Sequence, residues 1–146
     1  MDSGTPSPPP GPIPPGPDLE NASAFVAAAG LRFTSVSAEH VTGTLRLGPE
    51  HHTPWGVVHG GVYTTAVESA ASVGATAAVT DRGQIAFGVH NSTDFLRSTR
   101  TGTATVHAQP VQQGRTQQLW DVTITGQDGK SLARGSVRLQ NIDASR

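Results

Sequence analysis

One carboxylate in a long uncharged stretch is the residue best placed in this sequence to do chemistry. Between Glu50 and Asp81 the chain carries a single Asp, Glu, Lys or Arg, which is Glu68. The surrounding residues predict a helix without a polar face, and such a helix is usually buried. A carboxylate inside it would be desolvated unless a partner paired with it, which makes it a candidate acid, base or nucleophile. The alternative is a structural Glu that hydrogen-bonds into the core or faces solvent.

A glycine pair opens the same stretch, in the motif Gly56-Val57-Val58-His59-Gly60-Gly61. Glycines let a ligand approach the backbone closely, and the free N–H groups in the first turn of a helix favour negative charge. An oxyanion forming at an acyl carbonyl would be stabilised there. A glycine pair before a helix is common, so the pair alone is a weak signal.

The spacing of these groups indicates a second copy of the chain. Gly60 and Glu68 are eight residues apart, which is roughly 12 Å along a helix axis. They are too far apart to act on one substrate atom from the same helix, but two antiparallel helices would bring them together. A two-fold dimer is therefore predicted if both residues act on one substrate. Ser72 follows Glu68 at i+4, where it can bond the carboxylate or hold a water.

Three histidines near the motif, His51, His52 and His59, raise the question of a metal site. No carboxylate or cysteine with ligand spacing accompanies them, so a structural or substrate-orienting role for His59 is favoured over a metal. A Ser-His-Asp triad is equally unsupported, because the sequence has no Gly-x-Ser-x-Gly elbow. We expect neither a metal nor a redox cofactor.

Composition argues against several classes of protein. The 146 residues carry a formal net charge of -1, so they suit one domain and lack the basic footprint of a nucleic-acid-binding protein. There is no cysteine, which excludes disulfides and a thiolate nucleophile and suits a reducing compartment. The N-terminus does not resemble a signal peptide, and the Glu50–Asp81 stretch is too weakly apolar for a convincing membrane span. We predict a cytoplasmic protein without nucleic-acid or membrane partners.

The remaining segments must position these residues. Residues 1–17 are rich in Pro and Gly and are predicted to be a disordered tail, followed by one domain over 18–146. Helices are predicted over Asp18–Gly30, with Asn21 or Asp18 as its cap, and over about Gly60–Thr80. Strands are predicted over Leu31–Ser37, His40–Leu47, Gln84–Phe95, Thr103–Gln112, Gln117–Gly126 and Ser131–Asn141. One long helix against five or six mostly antiparallel strands is an α+β layer fold.

At these residues the chain resembles the hotdog-fold acyl-CoA thioesterases. The branch it resembles is related to 4-hydroxybenzoyl-CoA thioesterase and to the PaaI-like group, with a Glu on the helix. The likeness covers roughly residues 30–141 and is carried by Gly56–Gly61, Glu68-Ser69, Ser72, Asn91–Ser98, Gly114-Arg115 and Ala133-Arg134-Gly135. It implies a central helix wrapped by an antiparallel sheet, homodimers with active sites at their interface, and dimers that pair into tetramers.

The resemblance also implies catalytic roles. The Gly60 N–H would bind the thioester oxygen, and Glu68 of the other subunit would act as nucleophile or as general base for water. His59 would help to hold the substrate carbonyl, and Ser72 would position Glu68 or the attacking water. Thr53 departs from the pattern, since this branch often has Gln there to contact the carbonyl. Either Thr53 or its neighbour His52 supplies that contact, or the oxyanion site is weaker.

Three further positions match residues that handle coenzyme A in this family: Arg97, Arg115 and Thr116. The planar fork of arginine binds phosphate oxygens in pairs, although each arginine is also compatible with a solvated surface charge. Trp55, Tyr63 and Phe95 could line an acyl pocket or be aromatics of the core or interface.

The sequence and its resemblance together predict hydrolysis of an acyl-CoA, with an aromatic acyl group such as benzoyl or 1,4-dihydroxy-2-naphthoyl. One alternative is a non-catalytic acyl-CoA-binding or regulatory protein, which Thr53 favours and the retained Glu68 and Ser72 oppose. A hotdog dehydratase would need a His and an acid in a different arrangement. The pathway, and a preference for coenzyme A over a carrier protein, are left open.

Overall fold

The computed structural model describes residues 18–145 and contains one six-stranded sheet wrapped around one long helix. The predicted tail over residues 1–17 lies outside the described residues. The elements in chain order are α1 (Ala24–Ala29), β1 (Leu31–Val36), β2 (Val41–Leu47), α2 (Gly60–Val79), β3 (Gln84–Phe95), β4 (Gly102–Gln113), β5 (Gln117–Thr125) and β6 (Ser131–Asp143). No helix in this part of the chain is long and apolar enough to cross a membrane.

The sheet is antiparallel throughout, in the order β1-β2-β4-β5-β6-β3. Alternate residues of its central strands point inward, so that Val106, Ala108, Val122 and Ile124 are buried against the helix while their neighbours face outward. The predicted α+β hotdog arrangement is confirmed.

Helix α2 buries one face against the sheet, and the residues on its opposite face are half-buried or exposed. Its buried residues recur every three or four positions and are mostly small: Tyr63, Ala66, Val67, Ala70, Ala71, Gly74, Ala75 and Val79. At Gly74 the helix comes so close to the sheet that a Cβ would lie 2.5 Å from Trp120 Cη2 and 2.8 Å from Val41 Cγ2. The prediction of a helix buried on all sides is wrong for a single chain, since Glu68 is exposed.

A buried polar network fixes α2 to β5 and β6. The Gln118 Nε2 donates to the Ala75 carbonyl and to Asn141 Oδ1, both at 2.9 Å. Trp120 Nε1 donates to Gln118 Oε1 at 2.9 Å. Asn141 Nδ2 reaches the Arg115 carbonyl at 3.2 Å. Because these buried polar groups are paired with one another, the network holds the β4–β5 turn in place and offsets the cost of desolvation.

The first helix is shorter than predicted. Ser23 caps it by accepting the Val26 N–H, so neither Asn21 nor Asp18 does. The Asp18 carboxylate instead accepts N–H groups of Glu20 and Asn21 in a turn before the helix. Gly30 ends the helix at a φ of 79°, as predicted.

Candidate active site

The start of α2 carries a backbone donor that no group of the described chain occupies. His59 caps the helix, and its Nδ1 accepts the Gly61 N–H at 2.8 Å. The neutral ring therefore has its proton on Nε2, where it can donate to a ligand. Among the described residues nothing accepts the Gly60 N–H. Two donors, one from the backbone and one from an imidazole, thus lie side by side at the positive end of a helix.

Phe95, at the end of β3, packs directly over this helix start. A Cβ on Gly60 would collide with the ring and lie 2.7 Å from its Cζ atom. A larger residue at position 60 would therefore require the Phe95 ring to move. The ring is 55% exposed in the single chain, so it covers the helix start on one side and remains accessible on the other.

A largely apolar cavity of about 710 Å³ adjoins the helix start. Its walls come from α1, from the segment before α2, from the first turns of α2 and from the end of β3. They include Phe25, His52, His59, Val62 and Phe95. The cavity is large enough to accept an acyl group whose carbonyl rests at the helix start.

The segment before α2 holds two histidines against backbone groups. His51 is buried, with Nε2 donating to the Ala28 carbonyl at 2.6 Å and Nδ1 accepting the Gly48 N–H at 3.3 Å. His52 Nε2 donates to the Arg100 carbonyl at 2.7 Å. Both residues contribute to the wall of the cavity. Their hydrogen bonds fix that wall in position.

Thr53 is not among the residues that line this cavity. Its Oγ1 accepts the Trp55 N–H at 3.3 Å, and its own N–H donates to the Val57 carbonyl at 2.7 Å. The hydroxyl proton of Thr53 stays available to donate, but the side chain belongs to a turn beside the cavity.

Glu68 lies further along α2, with its carboxylate against strand β3. A Cβ on Gly88 would collide with Glu68 Oε1 and lie 3.3 Å from Cδ. The register of β3 with β6 shifts at this point, between Gly88 and His90. No pattern in the sequence singles out Gly88, because only the fold places it under the carboxylate. Ser72 is half-buried on the next turn, and no hydrogen bond joins it to Glu68 within the described chain.

Asn91 ties β3 to the helix between these two places. Its Nδ2 donates to the Thr64 carbonyl at 3.2 Å, and its Oδ1 accepts the Thr93 hydroxyl at 2.7 Å. Thr64 is one turn after Gly60 and one turn before Glu68. Asn91 belongs to the segment that carried the family resemblance, but sequence reasoning assigned it no role.

The residues predicted to hold coenzyme A are not brought together in one chain. Arg97 precedes β4 and pairs with Asp128 at 3.0 Å, beside a depression of about 220 Å³. The Lys130 N–H and Arg97 hold the pKa of the Asp128 carboxyl below its usual value. Arg115 and Thr116 lie in the turn after β4. Strand β4 is 12 residues long, so its two ends are roughly 35 Å apart.

Of the three aromatics predicted for an acyl pocket, only Phe95 lines the cavity. Trp55 is 81% exposed on the preceding loop, and Tyr63 is 2% exposed in the core. Phe25 of α1 lines the cavity as well, and sequence reasoning missed it. Phe25 is 70% exposed in the single chain, and the sequence holds no local signal for its contact with the cavity, which depends on how α1 packs.

Known proteins share both the sequence pattern and the fold. Residues 56–133 match the family model described as the thioesterase superfamily. The proposed esterase Rv1847 of Mycobacterium tuberculosis is 43% identical over 122 residues, covering 82% of this chain and 87% of that protein. Its solved structure has a TM-score of 0.80 and covers 84% of this chain and 98% of the other.

Two further relatives carry more specific names. The 1,4-dihydroxy-2-naphthoyl-CoA hydrolase of Listeria monocytogenes is 31% identical over 103 residues, covering 70% of this chain and 83% of that protein. The structure of a mutant form of the thioesterase PA1618 from Pseudomonas aeruginosa is 27% identical, with a TM-score of 0.78, and covers 86% of this chain and 94% of the other. These matches confirm the resemblance to thioesterases that the glycine motif and Glu68 indicated.

Proposed function

We propose that this chain, which belongs to the thioesterase superfamily, hydrolyses an acyl-CoA to a free acid and coenzyme A. The proposal depends above all on the Gly60 N–H, which no group within residues 18–145 accepts, beside an apolar cavity and with an exposed Glu68 on the same helix. The naphthoyl-CoA hydrolase of Listeria monocytogenes supports coenzyme A as the thiol.

The thioester oxygen binds at the start of α2. The Gly60 N–H donates to it, and the Nε2 proton of His59 supplies a second hydrogen bond. Both donors stabilise the negative charge that develops on this oxygen when the carbonyl carbon becomes tetrahedral. His52 is a poorer donor, because its Nε2 proton is already given to the Arg100 carbonyl. A contribution from Thr53 stays a prediction.

A homodimer completes the site. Strand β3 is an edge strand, and Phe87, Val89 and Phe95 on it and Leu96 just after it are each at least half accessible. An exposed apolar edge of this kind favours pairing with another strand. Antiparallel pairing of two β3 strands would set the two α2 helices side by side and bring Glu68 of one copy towards Gly60 of the other. Pairing of such dimers into tetramers, in the cytoplasm, is part of the proposal.

Glu68 activates the attacking group. As a general base it takes a proton from water, the oxygen adds to the carbonyl carbon, and the carbon–sulfur bond then breaks as the sulfur receives the proton. As a nucleophile it forms a mixed anhydride and releases the thiol, after which water opens the anhydride. Ser72, one turn further along, positions the carboxylate or the water.

The acyl group occupies the cavity between Phe25, Val62 and Phe95, whose apolar walls favour an aromatic or other apolar acyl chain. The nucleotide of coenzyme A is bound by arginines. Arg97 lies at one end of β4 and Arg115 with Thr116 at the other, so in an assembly these groups come from different copies.

Release of free thiol from a panel of acyl-CoAs tests the proposal. The panel contains benzoyl-, phenylacetyl-, 1,4-dihydroxy-2-naphthoyl- and straight-chain acyl-CoAs. We expect Glu68→Gln to lower kcat by about 10²–10⁴-fold with little change in KM, because it removes the base and preserves side-chain size. Asp81→Asn is the matched control, since Asp81 is an exposed acid just after the same helix, and it should keep full activity.

Two results would contradict the proposal. Unchanged turnover in Glu68→Gln would remove this carboxylate from the mechanism. Tight acyl-CoA binding without turnover in the unaltered protein would instead identify an acyl-CoA-binding protein. A single turnover in ¹⁸O water tests for the nucleophilic role of Glu68: unlabelled acid with labelled Glu68 identifies an anhydride that water opens at the Glu68 carbonyl carbon.

A further inference from the structure

Two histidine rings meet on the outer face of the sheet, away from α2. His107 lies on β4 between the buried residues Val106 and Ala108, so its ring points outward, and His40 directly precedes β2. Their Nε2 atoms are 2.5 Å apart, and the ring planes meet at 77°. The two Nε2 atoms are therefore within hydrogen-bonding distance of each other, and one ring donates to the other.

The backbone around the pair is already ordered by hydrogen bonds. In the turn that carries His40, the Ser37 N–H donates to the His40 carbonyl at 2.9 Å, and the Ser37 hydroxyl donates to it at 3.0 Å. Gln113 Nε2 anchors the same turn through the Ala38 carbonyl at 2.6 Å. His107 belongs to a strand with partners on both sides. A ligand that binds both rings would not have to order this backbone, which favours affinity.

The chemistry of the two side chains indicates which ions they would bind. A neutral imidazole ring carries a proton on one nitrogen and has a lone pair to share on the other. Neutral imidazole suits zinc, copper and nickel ions, whereas calcium and magnesium prefer oxygen ligands.

We propose that His40 and His107 form a binding site for a divalent transition-metal ion of the zinc, copper and nickel class. With metal–nitrogen bonds of about 2.1 Å and a tetrahedral angle, the two Nε2 atoms must be about 3.4 Å apart. Small side-chain rotations open the present 2.5 Å separation to that distance. Each ring then keeps its single proton on Nδ1 and donates the Nε2 lone pair to the ion.

The bound ion exchanges with solvent and does not stabilise the fold as a structural metal would. Within residues 18–145 no group of three His, Cys, Asp or Glu forms a metal cage. Water therefore fills the remaining positions, and an open site of this kind binds more weakly than a closed four-ligand one. The site lies on the face of the sheet opposite α2, so it is independent of the proposed hydrolysis.

Calorimetric titration of the untagged full chain with Zn²⁺, Ni²⁺ and Cu²⁺ tests the site. We expect one ion per chain with a Kd on the order of micromolar for Ni²⁺ or Cu²⁺. His40→Gln and His107→Gln should each raise Kd by at least about tenfold, since each removes one of two ligands. His90→Gln is the control, because His90 is an exposed histidine on β3, and it should bind like the unaltered protein.

Electron paramagnetic resonance of the Cu²⁺ form adds a readout that does not depend on affinity. Two histidine nitrogens should couple to the copper, and one coupling should disappear in His107→Gln. Millimolar or weaker binding by the unaltered chain would overturn the proposal. So would retention of affinity in either His40→Gln or His107→Gln, or loss of affinity in His90→Gln.

Discussion

Tyr63 has a buried hydroxyl that no other group among residues 18–145 satisfies. The side chain is 2% exposed, and its hydroxyl has no hydrogen-bond partner in the described chain. Burial raises the pKa of this hydroxyl, so Tyr63 is neutral at physiological pH. An unsatisfied buried polar group costs about 1–3 kcal/mol. Tyr63 therefore contributes to stability through its ring, which packs in the core and lies 6.3 Å from the Phe95 ring.

We expect Tyr63→Phe to leave the free energy of unfolding unchanged or to raise it by about 1 kcal/mol, because only an unpaired hydroxyl is removed. Gln118→Leu is the contrasting variant. It is also buried, but it would leave Trp120 and Asn141 without their partner, so a loss of about 2–3 kcal/mol is expected. Urea unfolding at one protein concentration measures both. A loss above about 1 kcal/mol in Tyr63→Phe would show that the assembled protein supplies a partner.

At the residue scale, the sequence predicted which groups could donate hydrogen bonds better than it predicted which of them are already hydrogen-bonded. The glycine pair correctly marked the start of a helix, but the sequence did not predict that His59 caps it. Only the structure shows that His59 accepts the Gly61 N–H, and that the Gly60 N–H has no acceptor in the described part of the chain. Phe25 was missed because its contact with the cavity depends on how α1 packs, and no local pattern encodes that.

At the scale of elements, alternation and turn residues located every strand to within two residues. The alternation of apolar and polar residues along a strand is a local pattern, so it can be recognised without knowledge of the fold. The exposure of Glu68 could not be predicted from its neighbours in the sequence, because it depends on the tertiary fold. Small residues surround it along α2, and composition alone does not tell which face of a helix the sheet covers. The same limit applies to Gly88, which matters only because β3 passes beneath the carboxylate.

Gly74 shows how packing can reverse an element's own preference. In a helix interior Ala is more stable than Gly by about 1 kcal/mol. Here a Cβ would lie 2.6 Å from Trp120 Cζ3 and 2.8 Å from Val41 Cγ2. Neither atom can move far inside a filled core, and overpacking of this kind costs about 1–3 kcal/mol. The collision should outweigh the gain in helix propensity.

We therefore expect Gly74→Ala to lower the free energy of unfolding, by about 1 kcal/mol net. Ala78→Gly, at a half-buried position of the same helix, should cost about 1 kcal/mol and calibrates the propensity of α2 itself. Thermal unfolding of the three proteins provides the comparison. Stabilisation by Gly74→Ala would mean that α2 is less tightly held against Trp120 than the structure shows.

At the scale of the whole molecule, pairing of two copies along β3 would explain both the exposed edge strand and the separation of Gly60 from Glu68. Gly60 and Glu68 share a helix that holds them apart, and β3 offers an unpaired edge with apolar side chains beside that helix. A second copy paired along β3 covers the apolar side chains and completes the site at the same time. Assembly and activity should therefore be lost together.

Val89 allows this coupling to be tested with a matched control. Val89 is 58% exposed at the register shift of β3, and Val111 is 57% exposed at the register shift of β4. Lysine on an edge strand opposes pairing, because two copies would bring like charges together. Val89→Lys should lower the mass measured by light scattering at least twofold and abolish thiol release, whereas Val111→Lys should keep the mass and the turnover of the unaltered protein. An unchanged mass with full turnover in Val89→Lys would exclude β3 as the interface, and an unchanged mass without turnover would separate assembly from catalysis.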